Sequence, residues 1–142
     1  MKIRELEPGD AQAVSELTQQ LGYERSAEEI RAWIGDGAHA DQVAFVACVA
    51  GGIAGWIEVC VERRLQSEPF VLIGGLVVRE GERGQGIGRL LCRKAEEWAW
   101  QKGVGKVRVT SRSTRDGAHR FYLRDGYEHV KTSLVFEKKR GT

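Results

Sequence analysis

The sequence predicts a mixed α/β (α+β) domain built on a mostly antiparallel sheet. Two observations predict it. The order of elements reads β-α-α-β-β-β-α-β-α-β, and hairpins occupy the middle of the chain. That order excludes a doubly wound parallel sheet and implies about six or seven strands flanked by about four helices. The 142 residues make one ordinary domain, with no repeat, low-complexity segment or linker. A domain of this size buries roughly 68–70% of the surface of its unfolded chain, enough for a core without metals or disulfides.

Each element has its own signal. Lys2 to Glu7 alternates polar and apolar, as a strand does, until Pro8-Gly9-Asp10 breaks it. Asp10 is placed to cap a helix running to about Leu21, with Ala13, Val14, Leu17 and Leu21 on one face and Gly22 as its stop. Ser26 and Glu29 form a capping box for a second helix carrying Ile30, Trp33 and Ile34, ended by Gly35 and Gly37. Val43 to Ala50 is a buried strand, Gly51-Gly52 a hairpin signal, and Ile53 to about Glu62 the returning strand. Phe70 to Val78 is a further strand whose Gly74-Gly75 marks a bulge or a close backbone approach. Residues 86–102 form the clearest helix, with Ile87, Leu90, Leu91, Trp98 and Ala99 on one stripe and Gly103 at its end. Lys106 to Thr110 is a strand, Asp116 to Arg124 a short helix stopped by Gly126, and Glu128 to Lys138 one or two last strands.

Composition narrows the function. Lys and Arg total 22 against 20 Asp and Glu, and a net charge of +2 is too weak to argue for nucleic acid, which is not expected as a partner. The start of the chain lacks a signal-peptide apolar run, and no stretch reaches the ~20 apolar residues of a membrane span. Cys48, Cys60 and Cys92 lie in apolar stretches and read as thiols in a reducing compartment, and a cytoplasmic protein is expected. His39, His119 and His129 are scattered without metal-ligand spacing, so no metal is expected.

The chemistry is concentrated in Val77-Val78-Arg79-Glu80-Gly81-Glu82-Arg83-Gly84-Gln85-Gly86-Ile87-Gly88-Arg89. A buried strand runs into a glycine-rich loop that opens a long helix. The first turn of a helix presents N–H groups without partners and a partial positive charge. Glycines let an anion approach that backbone, and Arg83 and Arg89 add charge, so a diphosphate is the natural guest. The loop is not a Walker A loop, because Gly86 is followed by Ile87-Gly88 rather than Lys-Ser/Thr. Nor is it the dinucleotide fingerprint, because Arg89 stands at the last glycine position.

Arg83-Gly84-Gln85-Gly86-Ile87-Gly88 resembles the Arg/Gln-x-x-Gly-x-Gly/Ala signature of the GNAT acetyltransferases. The segment from Gly117 through Ala118, Tyr122 and Gly126 to Tyr127 resembles that family's Ala-x-x-x-Tyr-x-x-x-Gly-Phe/Tyr element. Both stand in the family's order, and the resemblance covers nearly the whole chain. It implies the GNAT fold over 1–142, acetyl-CoA as co-substrate and acetyl transfer to a primary amine of a small molecule or a peptide. The backbone amides of Gln85, Gly86, Ile87, Gly88 and Arg89 would hold the pyrophosphate, and Leu76, Val77 and Val78 would pair with the pantetheine arm. A strand amide near Val77 would polarise the thioester carbonyl, and Tyr122 would be the general acid.

The chain also departs from the pattern. Arg115 stands where many members carry a coenzyme-contacting Asn, with Ser111, Ser113 or Thr114 as substitutes. Phe70 to Val78 holds no ionisable residue to serve as base. Glu58 and Glu62, which share a strand face with Trp56 and Cys60, are the candidate bases or amine-attracting carboxylates, and the bland reading makes them solvated strand-face charges. Glu68 is a further candidate. A non-catalytic acyl-CoA-binding or sensing module is the competing class, and a homodimer the expected assembly.

Overall fold

Strands of alternating burial and helices with one apolar stripe assemble around a five-stranded sheet in the order β1-β2-β3-β4-β5. The computed structural model describes residues 1–36, 40–82, 84, 86–112 and 114–141, with Asp36 described in its backbone alone. Gly37 and His39 lie outside these. The chain divides into two compact units, Met1–Thr110 and Ser111–Thr142.

The first unit runs β1 (Lys2–Glu5), a 3₁₀ turn at Pro8–Asp10, α1 (Ala11–Gln20), α2 (Ala27–Asp36), β2 (Gln42–Val49), β3 (Gly52–Arg64), β4 (Ser67–Val78), a 3₁₀ turn at Glu80–Glu82, α3 (Ile87–Gln101) and β5 (Val107–Val109). β1 to β4 pair antiparallel in sequence, and β5 joins β4 in parallel. The hairpin at Gly51-Gly52 forms one residue earlier than the sequence suggests: Val49 pairs with Gly52 around Ala50-Gly51.

The two faces of the sheet take different helices. Val46 packs in one cluster with Ala11 and Val14 of α1 and Ile30 of α2, joined by the partly buried Trp56. Its neighbour Phe45, pointing the other way, lies under Lys94 of α3 at 5.7 Å. On that α3 face a Cβ at Gly55 would meet Leu91 Cδ1 at 3.2 Å and Val77 O at 2.8 Å, so glycine lets α3 settle onto the strands. The buried stripe of α3 is Ile87, Leu91, Cys92, Ala95 and Ala99. Leu90, expected on it, is 42% exposed, because a tight contact with the sheet favours the small Cys92 and Ala95 instead.

Helix ends follow the sequence closely. The Ser26–Glu29 capping box is present, with Glu29 N donating to Ser26 Oγ and Ser26 N to Glu29 Oε1, both at 3.0 Å. Gly22 and Gly103 close α1 and α3 with positive φ, as expected of glycine past a helix end. Asp10 is a correction: its side chain makes no cap bond to α1. Its carboxylate instead accepts two hydrogen bonds from the Arg4 guanidinium, at 2.7 and 2.8 Å, and one from Glu7 N at 2.8 Å. A bidentate cation outcompetes a terminal amide for the same oxygens.

In the second unit α4 (Asp116–Arg124) matches the sequence reading. Gly126 N donates to Leu123 O and Tyr127 N to Tyr122 O, a Schellman closure that brings the Tyr122 and Tyr127 rings to 5.7 Å. Among the described residues, the last one or two strands expected over Glu128 to Lys138 are absent, and the sheet has five strands rather than six or seven. Alternation of apolar residues supplies only a strand's potential; a strand also needs a ladder partner, and among the described residues this segment has none. Val130, Leu134, Val135 and Phe136 are consequently 70–87% exposed.

Candidate active site

The site begins where two strands part. Among the described residues, β5 pairs with β4 at Val71, Leu72 and Ile73. One residue later β4 bulges: Val59 of β3 pairs with Ile73 and Glu58 with Gly75, leaving Gly74 as the extra residue. Beyond the bulge β4 stays on β3 through Val78 while β5 ends at Val109. Arg79 N donates to Ala54 O at 2.7 Å. By the two-residue alternation of an antiparallel ladder, Val77 therefore also points its N–H and C=O at β3. Leu76 and Val78 point theirs to the other edge, the one β5 has left.

That edge leads directly into the glycine loop. Gly84 and Gly86 both have left-handed backbone, φ +86° and +79°. Gly86 is the N-cap of α3 and lends no side chain to the cap. Leu90 N, donating to Gly86 O, makes the first bond of the helix. The N–H groups of Ile87 and Gly88 precede it and have no carbonyl one turn back. A turn of backbone donors with no Cβ at its mouth fits an anionic diphosphate. Arg89 is exposed on the same turn. Arg83 and Gln85, the other predicted members, lie outside the described residues. The loop is held from two sides that the sequence reading did not anticipate. Arg79 pairs with Glu82 at 2.8 Å. Gln20, at the end of α1, donates to Val78 O at 3.1 Å and accepts from Glu80 N at 3.4 Å. Gln20 sits 58 residues from Val78 and carries no local signal of this contact.

Glu58 stands over the bulge. A Cβ on Gly74 would lie 2.9 Å from Glu58 Oε2, and one on Gly75 would lie 2.8 Å from the Trp56 ring. Burial pushes the Glu58 carboxyl above the usual carboxylate range, against a hydrogen bond from Gln42 that opposes the shift. The Trp56 indole N–H is buried without a hydrogen-bond partner among the described residues. Two residues beyond Glu58, burial and the neighbouring Glu62 and Glu58 push the Cys60 thiol up to about 11, which keeps it protonated and removes it as a nucleophile. Glu62 is set apart from the bulge: it accepts from Cys60 Sγ at 3.7 Å and lies 3.9 Å from Arg64 Nε. Glu68 is exposed in β4. Among the described residues no group of His, Cys, Asp and Glu has the arrangement of a metal site.

Leu76, Val77, Val78, Gly84, Gly86, Ile87, Gly88, Arg89 and Glu58 thus belong to one region of the first unit. Tyr122 and Arg115 belong to the second. Arg115 is the N-cap of α4 and makes no side-chain cap bond. Tyr122 lies edge-on to Phe121 at 5.2 Å and to Tyr127. Ser113 lies outside the described residues. His119 sits beside Arg112 O at 2.8 Å, a local contact within the unit.

Residues 11–127 match the model of the Acetyltransferase (GNAT) family. The chain is 31% identical over 141 residues to an uncharacterized N-acetyltransferase from Chlorobaculum tepidum, covering 96% of this chain and 81% of that protein. It is 38% identical over 79 residues to the aminoalkylphosphonate N-acetyltransferase of Salmonella typhimurium, covering 55% of this chain and 51%, about half, of that relative. Its fold resembles that of the aminoglycoside N-acetyltransferase AAC(6')-Iy in complex with CoA, with a TM-score of 0.81 over 97% of this chain and 99% of the other at 18% identity.

Proposed function

Since the chain belongs to the acetyltransferase (GNAT) family, we propose that it transfers the acetyl group of acetyl-CoA to a primary amine, with Glu58 as proton acceptor. The observation that carries the reading is the Glu58 carboxylate lying over Gly74, next to the point where β5 leaves β4. Acetyl-CoA, when bound, supplies a thioester carbonyl for the amine to attack and a thiolate to leave.

The chain's own groups supply the rest. Gly84, Gly86, Ile87, Gly88 and Arg89 hold the pyrophosphate, with Arg83 and Gln85 completing the loop. The open edge of β4 holds the pantetheine arm. Of Leu76, Val77 and Val78, the ladder leaves the N–H groups of Leu76 and Val78 for that arm and for polarising the carbonyl. An amine with a pKa of about 10.4 must lose its proton first, which costs about 4.6 kcal/mol at pH 7. Glu58 takes that proton, and a carboxylate made more basic by burial does so better than an exposed one. Glu62 adds negative charge along the same strand face, favouring a cationic acceptor. Tyr122 donates to the departing sulfur. Proton transfer from an ordinary Tyr to an ordinary thiolate is uphill by roughly 2 kcal/mol, so Tyr122 acts mainly as a hydrogen-bond donor. Ser113 and Arg115 take the coenzyme contact of the Asn that this chain lacks.

The acceptor is a small molecule or peptide bearing a primary amine, and the setting is the cytoplasm. A second copy of the chain is the proposed partner, since Val130, Leu134, Val135 and Phe136 present a run of exposed apolar side chains. Sedimentation showing a monomer at all concentrations would remove it.

Isothermal titration with acetyl-CoA, CoA and dephospho-CoA tests the coenzyme site. The three bind with similar affinity if the pyrophosphate loop dominates, and absence of binding at millimolar ligand overturns the reading.

A further inference from the structure

Glycine in a strand interior weakens it relative to alanine, so two in succession require a reason. The usual reason is a backbone angle that only glycine tolerates. Neither Gly74 nor Gly75 has it: the positive-φ glycines of the described residues are elsewhere. Any residue could adopt the backbone at these two positions. What it could not do is share the space. Glu58 occupies the volume of a Cβ at 74, at 2.9 Å from Oε2, and Trp56 that of a Cβ at 75, at 2.8 Å from two ring carbons. These are closer than real Cβ contacts come. Relief at 74 requires Glu58 to move, and relief at 75 requires Trp56 to move.

The Trp56 ring is packed and cannot move far, whereas at the exposed Gly74 the group to be displaced is the carboxylate end of a flexible side chain, so relief at 74 is the easier of the two. Trp56 is wedged between Gly75 and the cluster of Ala11, Val14, Ile30 and Val46, so it ties α1 and α2 to the bulge. Glu58 lies between Gly74 and Gln42.

We propose that Gly74 and Gly75 are positioning residues, each kept side-chain-free by the group seated on it, so that the bulge fixes the Glu58 carboxylate and the Trp56 ring beside the open edge of β4. The catalytic meaning of this seating rests on the reading of Glu58 as proton acceptor; the seating itself does not.

A double-mutant cycle tests it without any substrate. Gly74→Ala should lower Tm by about 1–3 °C, because the group it displaces is the end of a flexible side chain at an exposed position. In a Glu58→Ala background the same substitution should cost nothing or raise Tm, because alanine suits a strand better once the space is vacant. Gly75→Ala is read in the same way against Trp56→Ala, with a shift in the Trp56 fluorescence, identified by subtraction of Trp56→Phe, as its spectroscopic signature. An equal loss of Tm in both backgrounds overturns the proposal. If Gly74→Ala alone does not fold, the double variant decides: a folded one supports the seating and an unfolded one overturns it. Turnover with the amine that releases most thiol in the wild type separates the two readings. Thermal coupling with unchanged turnover in Gly74→Ala keeps the seating and ends the role of Glu58 as proton acceptor.

Discussion

Glu58 has a carboxyl raised by burial beside a bulge, and this sets a conflict between stability and turnover. Its folded pKa lies above its unfolded one, so its contribution to stability is full below the ordinary carboxylate range. That contribution is lost as pH rises through the raised value. Glu58→Gln removes the ionisation. It should therefore melt higher than the wild type at pH 7, with the difference vanishing near pH 4, while turnover falls about 100-fold. Thermal melts against pH check the first part and thiol release the second. Asp10 has the opposite sign. The Arg4 hydrogen bond holds its carboxyl below the usual range, so its stabilisation is present above that range and lost as pH falls. Asp10→Asn should cost about 1–3 kcal/mol in urea unfolding at pH 7, because it leaves the partly buried Arg4 with only the more distant Glu7 carboxylate at 3.5 Å, and much less near pH 2. Tyr122→Phe should lower kcat much more than it weakens acetyl-CoA binding.

The strand, loop and helix of the candidate coenzyme site were largely legible as structure in the sequence, because glycine and capping residues act locally. The Ser26 capping box, the Gly22 and Gly103 stops, the Gly74-Gly75 bulge and the glycine loop before α3 all lie where the pattern places them. Illegible were the contacts that only the folded chain creates: Asp10 turned to Arg4, Gln20 reached Val78, and Leu90 left the α3 stripe. Final strands were predicted from alternation alone, and alternation does not supply a partner. Two glycines of α3 separate conformation from binding. Gly86→Ala and Gly103→Ala each place a side chain at a φ near +78°, at a cost of about 1–2 kcal/mol. Only Gly86→Ala also puts a Cβ at the mouth of the anion site. It should weaken acetyl-CoA by about tenfold in calorimetry, an assumed loss of one backbone contact, while Gly103→Ala leaves affinity unchanged.

Across the whole molecule, stability is unevenly distributed. β2, β3 and β4 carry the buried centre of the sheet, whereas residues 128–138 form no strand and are exposed. In hydrogen exchange of the isolated chain, amides of 128–138 should exchange within seconds and those of Val46, Ile57 and Val59 last. Protection of the tail that grows with protein concentration would mark the second copy as what covers it. The proposed activity requires coenzyme loop, open strand edge and Glu58 to act together. The most direct test is thiol release from acetyl-CoA over a panel of primary amines, with the wild type and Glu58→Gln side by side. Amine-dependent release that falls about 100-fold in Glu58→Gln, with acetyl-CoA affinity intact, is the predicted result. Equal rates in the two proteins would contradict it.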